Sequence, residues 1–262
     1  MNRDVDVVCF DLDDTLIYEI STDYAVIEEV CQQILPNRSF APGSLANSVH
    51  NAARRLWQQS GEIDYCRQIG AGSLESLYGE YTGADPRLRV LRQFVEATDY
   101  RERVWAEALT PLGITDRALV RAISDAFVTS RRDRHVPFAD ARRTLDRLGG
   151  SYRLALLTNG APAIQRRKLA SSGFADYFEL VVVSGDLGVG KPDPSVFTYA
   201  LDRLGSTADH VVMIGNSLSA DVAGAQGVGI NAIWLNRSGE PESTEVVPDQ
   251  VVASLDEVLT DG

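Results

Sequence analysis

The sequence predicts an α/β protein in which a doubly wound parallel sheet carries an inserted α-helical unit. An apolar run at residues 5–10 is typical of a buried parallel strand. No convincing strand follows between about residue 21 and residue 134, whereas helices and strands alternate from residue 137 onward. Repeated βα units of this kind imply parallel strands joined by right-handed crossovers, so the helical stretch is predicted to interrupt the sheet after its first strand.

The helical insertion is predicted from apolar residues that recur three or four positions apart, such as Val26 and Val30. Its helices are predicted at 22–35, 45–59, 63–81 with glycine interruptions, 87–112 and 116–131. Asp116 is the predicted N-cap of the last of these helices. Trp57 and Trp105 are predicted to pack between helices, because a buried tryptophan removes a large apolar area from water.

Beyond residue 137 the pattern changes to alternating helices and strands. Strands are predicted at 152–157, 180–183, 210–214 and 230–235. Helices are predicted at 138–148, 162–172, 194–204, 220–226 and 254–259. The acidic segment 238–248, which contains proline and serine, is predicted to be a surface loop.

The composition is that of an ordinary globular protein with one large domain or two modest ones. The 262 residues are 44% hydrophobic and 24% charged, with a formal net charge of −12, which argues against a nucleic-acid partner. No apolar run approaches the ~20 residues of a membrane span, so no membrane partner is predicted. Residues 1–4 lead directly into the first strand, so no signal peptide is expected. The three cysteines lack metal-ligand spacing and are predicted to be reduced thiols of a cytoplasmic protein.

Two carboxylates, Asp11 and Asp13, directly follow the first predicted strand. Ligands of open parallel α/β sheets sit just beyond the carboxyl ends of the strands, where chemistry is normally done. Side chains two apart on an extended chain point the same way, so both carboxylates can face one substrate. Two like charges this close need a shared cation or proton, and hard oxygen donors favour Mg²⁺. Taken alone, Asp-x-Asp is equally compatible with a polar turn after a strand.

Other polar residues gather at the ends of three later strands. Thr158 and Asn159 follow the second predicted strand, and Lys191 lies slightly beyond the third. Asn216 and Asp221 follow the fourth. Because parallel strands present their carboxyl ends at one edge of the sheet, these side chains are predicted to surround one pocket with the two aspartates.

The four segments, in this order, resemble the motifs of the haloacid dehalogenase-like hydrolase superfamily. They read Asp-Leu-Asp-Asp-Thr, Leu-Thr-Asn-Gly, Gly-Lys-Pro-Asp-Pro and Ile-Gly-Asn-Ser-Leu-Ser-Ala-Asp, and together they span residues 5 to 221. The resemblance implies a Rossmann-like core with strand order 5-4-1-2-3, formed by residues 1–18 and 135–262. It also implies that residues 19–134 are a helical cap of the C1 type.

The resemblance further implies Mg²⁺-dependent hydrolysis of a small-molecule phosphate monoester. Asp11 is the expected nucleophile that forms an aspartyl-phosphate, and Asp13 is the expected general acid and base. Thr158, Asn159 and Lys191 are expected to bind the phosphoryl group. The expected metal ligands are the Asp11 carboxylate, the Asp13 backbone carbonyl and the fourth motif, through Asn216, Asp221 or both.

Asn216 departs from the superfamily, which usually has aspartate at that position. An amide oxygen still ligates Mg²⁺ but brings one negative charge fewer, so weaker metal binding is expected. Asp221 is expected to carry more of the metal binding, directly or through water. This departure also keeps open a non-catalytic phosphate-binding module as an alternative.

Further residues distinguish between branches of the superfamily. Asp13 supplies an acid/base where the dehalogenases of the superfamily have tyrosine, which favours phosphoester chemistry. No lysine lies between Asp11 and Lys168, which argues against a phosphonoacetaldehyde-type hydrolase, since that branch needs a cap lysine. A sugar-phosphate mutase on the same core remains an alternative. The predicted partner is a small phosphorylated metabolite, and the chain is predicted to be a monomer or a homodimer.

The remaining polar residues near the motifs are given structural roles. Asp14 is expected to serve the turn into the cap, and Thr15 to hydrogen-bond around the catalytic loop. A basic helix end is usually solvated, and this is the expectation for Arg131, Arg132 and Arg134. Structural roles are also predicted for the three histidines, His50, His135 and His210.

Overall fold

A parallel six-stranded sheet lies at the centre of the protein in the computed structural model, which describes residues 5–59, 63–97, 99–241 and 243–259. The expected entry of residues 1–4 into the first strand therefore lies outside the described residues. From one edge to the other the strands are β5 (Leu180–Val183), β4 (Arg153–Thr158), β1 (Val7–Phe10), β6 (Val211–Gly215), β7 (Asn231–Leu235) and β8 (Gln250–Val252). All neighbouring strands are parallel.

The strand order confirms the predicted topology. Counted along the chain, the first five strands of this sheet run 5-4-1-2-3 when read from β7 to β5, and β8 adds a sixth strand beside β7. The order places β1 between β4 and β6, with Phe10 in register with Leu156 and Ile214. The residues that follow these three strands therefore meet at the middle of one sheet edge.

Two short antiparallel strands, β2 (Ile17–Tyr18) and β3 (Val136–Pro137), bring the two connections of the helical insertion together. Among the described residues, the insertion contains the α-helices α1 (Ile20–Ile34), α2 (Ser44–Gln58), α3 (Ile63–Ile69), α4 (Pro86–Ala97), α5 (Tyr100–Leu109) and α6 (Arg117–Arg131). A short 3₁₀ turn, Glu75–Leu77, follows α3. We call this insertion the cap; its predicted limits, residues 19–134, stay a prediction.

The cap has an apolar core of its own. Trp57 and Trp105 are buried in it, as predicted, and Asp116 caps α6 by accepting hydrogen bonds from the amides of Ala118 and Leu119. The predicted helix 87–112 is wrong in its continuity, because Asp99 adopts a left-handed conformation with φ +48° between α4 and α5. The predicted helix 63–81 ends at Ile69, where the next residue is a glycine with φ +71°.

The core helices cover both faces of the sheet, as a doubly wound fold requires. They are α7 (Ala141–Gly149), α8 (Pro162–Ser172), α9 (Ser184–Leu187), α10 (Pro194–Leu204) and α11 (Ala223–Gln226), with a π-helical turn at Leu218–Val222 and a 3₁₀ helix at Leu255–Leu259. One face packs against α7 and α8, and the other packs against α10 and α11. The side chains of β1 are buried on both faces, which explains its unbroken apolar sequence.

The cap is packed onto the core through α8. Ile164 of α8 belongs to the apolar cluster of the cap, and the backbone amide of Gly190 donates to the carbonyl of Gln68 at 2.5 Å. Buried thiols at Cys9, Cys31 and Cys66 agree with the prediction of reduced cysteines. Of the helices in the described parts of the chain, none has the length and apolarity needed to cross a membrane.

Candidate active site

Asp11 is the first residue after the central strand, and its carboxylate is held from two sides. Its backbone amide donates to the carbonyl of Ile214 at 3.0 Å, which ties the start of the loop to β6. Oδ1 accepts from Lys191 Nζ at 2.8 Å, and Oδ2 accepts from Thr15 Oγ1 at 3.1 Å. The hydrogen bond from Thr15 confirms the expected bond around the loop that follows β1.

Lys191 lies beyond β5, and its ammonium group is buried between two carboxylates. Nζ contacts Asp221 Oδ1 at 2.6 Å and the carbonyl of Leu157 at 2.6 Å, in addition to Asp11. Burial disfavours the charged amine, but Asp11 and Asp221 outweigh it and raise the pKa of Lys191. Lys191 therefore remains a cation at the carboxylate of Asp11.

Asn159 positions Lys191 through the backbone of that residue. Its Nδ2 donates to the carbonyl of Lys191 and its Oδ1 accepts from the amide, both at 2.8 Å. Gly190 allows this approach, because a Cβ on that residue would lie 2.6 Å from Asn159 Oδ1. Asn159 therefore lies beside the predicted phosphate site, but both polar atoms of its side chain bind the backbone of the loop that carries Lys191.

The fourth motif brings Asn216 to Asp11 through Thr15. The side-chain oxygen Oδ1 of Asn216 lies 3.3 Å from Thr15 Oγ1. The backbone amide of Asn216 donates to the same Thr15 oxygen at 3.2 Å. Asp221 accepts from Lys191 with Oδ1 and from the amide of Ser217 with Oδ2, at 2.9 Å. The oxygens of Asp221 are thus engaged in holding Lys191 and the loop, whereas those of Asp11 and Asn216 converge on Thr15.

Asp13 and Thr158 lie on the side of the loop that faces α8. Gln165 Nε2 donates to Asp13 Oδ2 at 2.8 Å and to Thr158 Oγ1 at 2.6 Å. Asp14, with φ +53°, makes the turn into the cap, and its Oδ1 accepts from the amide of Glu19 at 2.9 Å, as expected. All seven predicted site residues therefore lie at or beyond the carboxyl ends of β1, β4, β5 and β6.

Lys168 of α8 was not among the predicted site residues, yet it binds Asp13 directly. Its Nζ lies 2.9 and 3.0 Å from the two Asp13 oxygens, and it also contacts Glu19 at 2.9 Å and Glu75 at 2.5 Å. Its side chain is fully buried. Burial disfavours the charge, but Asp13, Glu19 and Glu75 outweigh it and raise the pKa of Lys168 well above its ordinary value.

Lys168, Asp13, Glu19 and Glu75 form a cluster of charged side chains. A second buried cation, Arg131, extends this cluster into the cap. Its guanidinium contacts Glu19 Oε2 at 2.8 Å and Asp23 Oδ1 at 2.5 Å, and it lies over the ring of Tyr78. The expectation that Arg131 is part of a solvated helix end is therefore wrong. Arg131 is buried, and the carboxylates of Glu19 and Asp23 neutralise its charge inside the protein.

The cluster holds more carboxylates than cations, and this shifts its proton affinities. Burial raises the pKa of Asp13 to about 8, against the opposing effect of Lys168. Burial likewise raises the pKa of Asp23 to about 7, although Arg131 opposes it. For Glu19 burial is outweighed by Lys168 and Arg131, which together lower its pKa to about 2. Asp13 consequently holds a proton more readily than an ordinary aspartate.

His135 is expected to make the folding stability depend on pH. Its Nδ1 faces Arg131 Nη1 at 3.1 Å and its Nε2 faces the carbonyl of Arg132 at 3.1 Å, an arrangement that fits the neutral imidazole. Burial and the charge of Arg131 lower the pKa of His135 from 6.5 to about 4. Since the unfolded chain binds this proton more readily, the contribution to stability is present above pH 6.5 and is lost as the pH falls towards 4.

We therefore expect the variant His135→Gln to weaken the acid sensitivity of the fold. Between pH 7 and pH 5 the wild type should lose on the order of 1–2 kcal/mol more unfolding free energy than the variant, because only the wild type carries this titration. Urea unfolding at the two pH values measures the difference. An equal pH-dependent loss in both proteins would contradict the assignment of a neutral, buried His135.

A groove of about 530 Å³ opens beside Asn216, between the start of the cap and the segment that follows β7. Its lining includes Asp14, Tyr18, Tyr24 and Arg237 as well as Asn216. Its volume lies in the range of small-molecule sites. The groove therefore adjoins the fourth motif at Asn216, whereas Asp11 and Asp13 are not part of its lining.

The donors available for a metal ion are hard oxygens. No group of three or more His, Cys, Asp or Glu side chains within the described ranges is arranged to hold a metal ion. The convergence of Asp11 Oδ2 and Asn216 Oδ1 on one hydroxyl nevertheless gathers a carboxylate and an amide oxygen at one point. Mg²⁺ suits this donor set, since it takes one or two carboxylates and keeps several water ligands.

Comparison with known proteins supports the fold and the motifs. A family model for haloacid dehalogenase-like hydrolases matches residues 5–229. The chain is 37% identical to a phosphoserine phosphatase of Thermus thermophilus over 260 residues, which cover 97% of each chain. It is 33% identical to the human N-acylneuraminate-9-phosphatase over 162 residues, 60% of this chain and 65% of the relative.

Solved structures show the same architecture. The putative HAD-hydrolase YfnB of Bacillus subtilis, solved bound to magnesium, superposes with a TM-score of 0.65 at 21% identity and covers 98% of this chain and 97% of its own. A 2-haloacid dehalogenase of Pseudomonas syringae superposes with a TM-score of 0.56 at 26% identity, covering 97% and 96%. Both structures therefore support the core sheet with its helical insertion.

Proposed function

The chain belongs to the haloacid dehalogenase-like hydrolases, and we propose that it is a Mg²⁺-dependent phosphatase that hydrolyses small phosphate monoesters through an aspartyl-phosphate on Asp11. The observation that carries this proposal is the position of the Asp11 carboxylate, held by Lys191 and Thr15 at the end of the central strand. The phosphoserine phosphatase that matches the chain along nearly its full length supports phosphate esters as the substrate class.

In the first step Asp11 attacks phosphorus, and the bond from phosphorus to the leaving oxygen breaks. A carboxylate is a competent nucleophile for this in-line displacement when the charge of the phosphoryl group is neutralised. Lys191 provides a fixed positive charge 2.8 Å from the attacking group, and Thr158, the last residue of the neighbouring strand β4, offers a hydroxyl donor. Asn159 and Asp221 keep Lys191 in place.

Asp13 supplies the proton that the leaving oxygen needs. Burial raises the pKa of Asp13 above that of an ordinary aspartate, which favours the protonated form that a general acid needs. In the second step the same group, now ionised, takes a proton from the water that attacks the phosphorus of the aspartyl-phosphate. The products are the free alcohol and inorganic phosphate, and Asp11 is regenerated.

Magnesium would be held by the Asp11 carboxylate, the backbone carbonyl of Asp13 and the amide oxygen of Asn216, with Asp221 acting on this site through the loop that it holds. When bound, the ion neutralises the negative charge that accumulates between the phosphoryl group and Asp11. The donors fit Mg²⁺ in type, but asparagine replaces a second carboxylate. Metal affinity is therefore expected to be modest.

The variant Asn216→Asp should bind the metal more tightly, because it restores the missing negative charge. We expect the Mg²⁺ concentration for half-maximal activity to fall roughly tenfold. Titration of p-nitrophenyl phosphate hydrolysis with Mg²⁺ after EDTA treatment measures this. Asn236→Asp, which adds the same charge to the groove lining, is the matched control and should leave the midpoint unchanged. An unchanged midpoint in Asn216→Asp, or full activity in EDTA, would contradict the proposed metal site.

The substrate class is tested with a panel of phosphate monoesters. O-phosphoserine is the first member, because of the relative's name, followed by sugar phosphates and nucleoside monophosphates. Release of inorganic phosphate from any of them supports a phosphatase. Transfer of the phosphoryl group to another position of a sugar would indicate the mutase alternative, and binding without turnover would indicate a phosphate-binding module.

A further inference from the structure

Lys168 occupies a junction between the core and the cap. It lies on α8 of the core, and its ammonium group contacts carboxylates from three separate segments. Asp13 belongs to the catalytic loop, Glu19 to the connection into the cap, and Glu75 to the 3₁₀ turn of the cap. The side chain of Lys168 is fully buried, and an unpaired buried ammonium would cost folding free energy. The three carboxylates are therefore needed to neutralise its charge.

The chemistry of this junction favours lysine over arginine. An ammonium group has three protons around one nitrogen and can bind three carboxylates that converge on a point, whereas a guanidinium is a planar fork. Elsewhere the chain uses arginine for its positive charges: of 25 basic residues only Lys168 and Lys191 are lysines. Each of the two contacts one carboxylate of the Asp-x-Asp pair, Lys191 at Asp11 and Lys168 at Asp13.

Two side chains on one face of α8 bind the carboxylate of Asp13. Gln165 and Lys168, three residues apart on that helix, bind its Oδ2 at 2.8 and 3.0 Å, and Lys168 also binds Oδ1. Glu75 in turn holds Lys168 from the cap side, and Glu75 is itself fixed by the amide of Gly72 at 3.1 Å. The orientation of Asp13 therefore depends on a lysine that is fully neutralised only when the cap is packed on the core.

We propose that Lys168 is a positioning residue that orients the general acid Asp13, and that Glu75 makes this orientation depend on the docked cap. The inference rests on the proposed function, because it assigns Asp13 the role of protonating the leaving group. Loss of Lys168 should impair substrates whose leaving oxygen needs a proton, and should spare those whose leaving group departs as an anion.

The experiment compares kcat/KM for two substrates in the full-length protein. One is p-nitrophenyl phosphate, whose leaving group is a weak base, and the other is the alkyl phosphate that the wild type hydrolyses fastest. Lys168→Met should lower kcat/KM for the alkyl ester ~10²–10³-fold and for the aryl ester less than about tenfold, in line with the usual value of general acid catalysis. Lys168→Arg should recover part of the alkyl activity because it restores the charge.

A matched control comes from the same helix. Arg166→Met removes an exposed cation of α8 that pairs with Asp186, and it should leave both kcat/KM values as in the wild type. Equal losses on both substrates in Lys168→Met would show a merely structural role and overturn the proposal. Unchanged kcat/KM on the alkyl ester would overturn it as well.

Glu75→Gln tests the dependence on the cap even if Lys168→Met does not fold. The variant keeps the shape of the side chain and removes one charge on the cap side of Lys168. It should lower the ratio of alkyl to aryl kcat/KM by about tenfold, within the range for loss of a positioned acid. An unchanged ratio would overturn the role of Glu75. Absence of turnover by the wild type on every phosphoester would instead contradict the proposed function itself.

Discussion

The variant Asp11→Asn is expected to abolish turnover. The amide keeps the size of the side chain but is not a nucleophile towards phosphorus, so kcat should fall on the order of 10⁴-fold or more on every phosphoester. The fold should survive, because Lys191 retains Asp221 and the carbonyl of Leu157 as partners. Phosphate release in the presence of Mg²⁺ and the urea unfolding midpoint measure the two effects.

Asp6→Asn is the matched control for this substitution. It makes the same chemical change just before β1, at the end of the central strand opposite Asp11. Its activity should equal that of the wild type. Turnover by Asp11→Asn above about a hundredth of the wild-type rate would contradict the role of Asp11 as nucleophile.

The variant Lys191→Met should lose both activity and stability. Without the ammonium group, the buried carboxylates of Asp11 and Asp221 face each other without a cation. Removing one member of a buried ion pair costs about 3–5 kcal/mol, and we expect a loss of this size in unfolding free energy. Activity should fall ~10²–10⁴-fold, because the phosphoryl charge loses its fixed counter-charge.

The double variant Lys191→Met/Asp221→Asn separates the two effects. It removes the excess buried charge, so most of the lost stability should return in urea unfolding, whereas activity should stay at the level of Lys191→Met. Recovery of activity together with stability would contradict a direct role of Lys191 at the phosphoryl group. The outcome would then favour a purely structural ion pair.

The core sheet and the polar residues that follow its strands were predictable because local signals suffice for them. The strand β1 is buried on both faces and is therefore uniformly apolar, and Asp11 and Asp13 follow it at once. Several helix bounds agree residue for residue, such as Pro162–Ser172 and Pro194–Leu204, where proline starts the helix and glycine follows it. The very short strands β2, β3 and β8 were not predicted, since two or three residues show no periodicity.

The second half of the site was missed because its contacts are remote in sequence. Lys168 and Asp13 are separated by 155 residues, and Glu75 approaches Lys168 only through the docking of the cap. Arg131 shows the same limit, because a basic residue at a helix end gives no sign that two carboxylates will bury it. One signal was present in the sequence, namely that lysine occurs only at positions 168 and 191.

A phosphoryl group is expected to pass through the side chain of Asp11 in every turnover. This transfer is tested by quenching the wild-type enzyme with acid during turnover with Mg²⁺, digesting it, and weighing the peptides by mass spectrometry. We expect one added phosphoryl group on the peptide that contains Asp11, and none in Asp11→Asn. Rapid hydrolysis with no covalent phosphoryl group, or with the group on another residue, would contradict it.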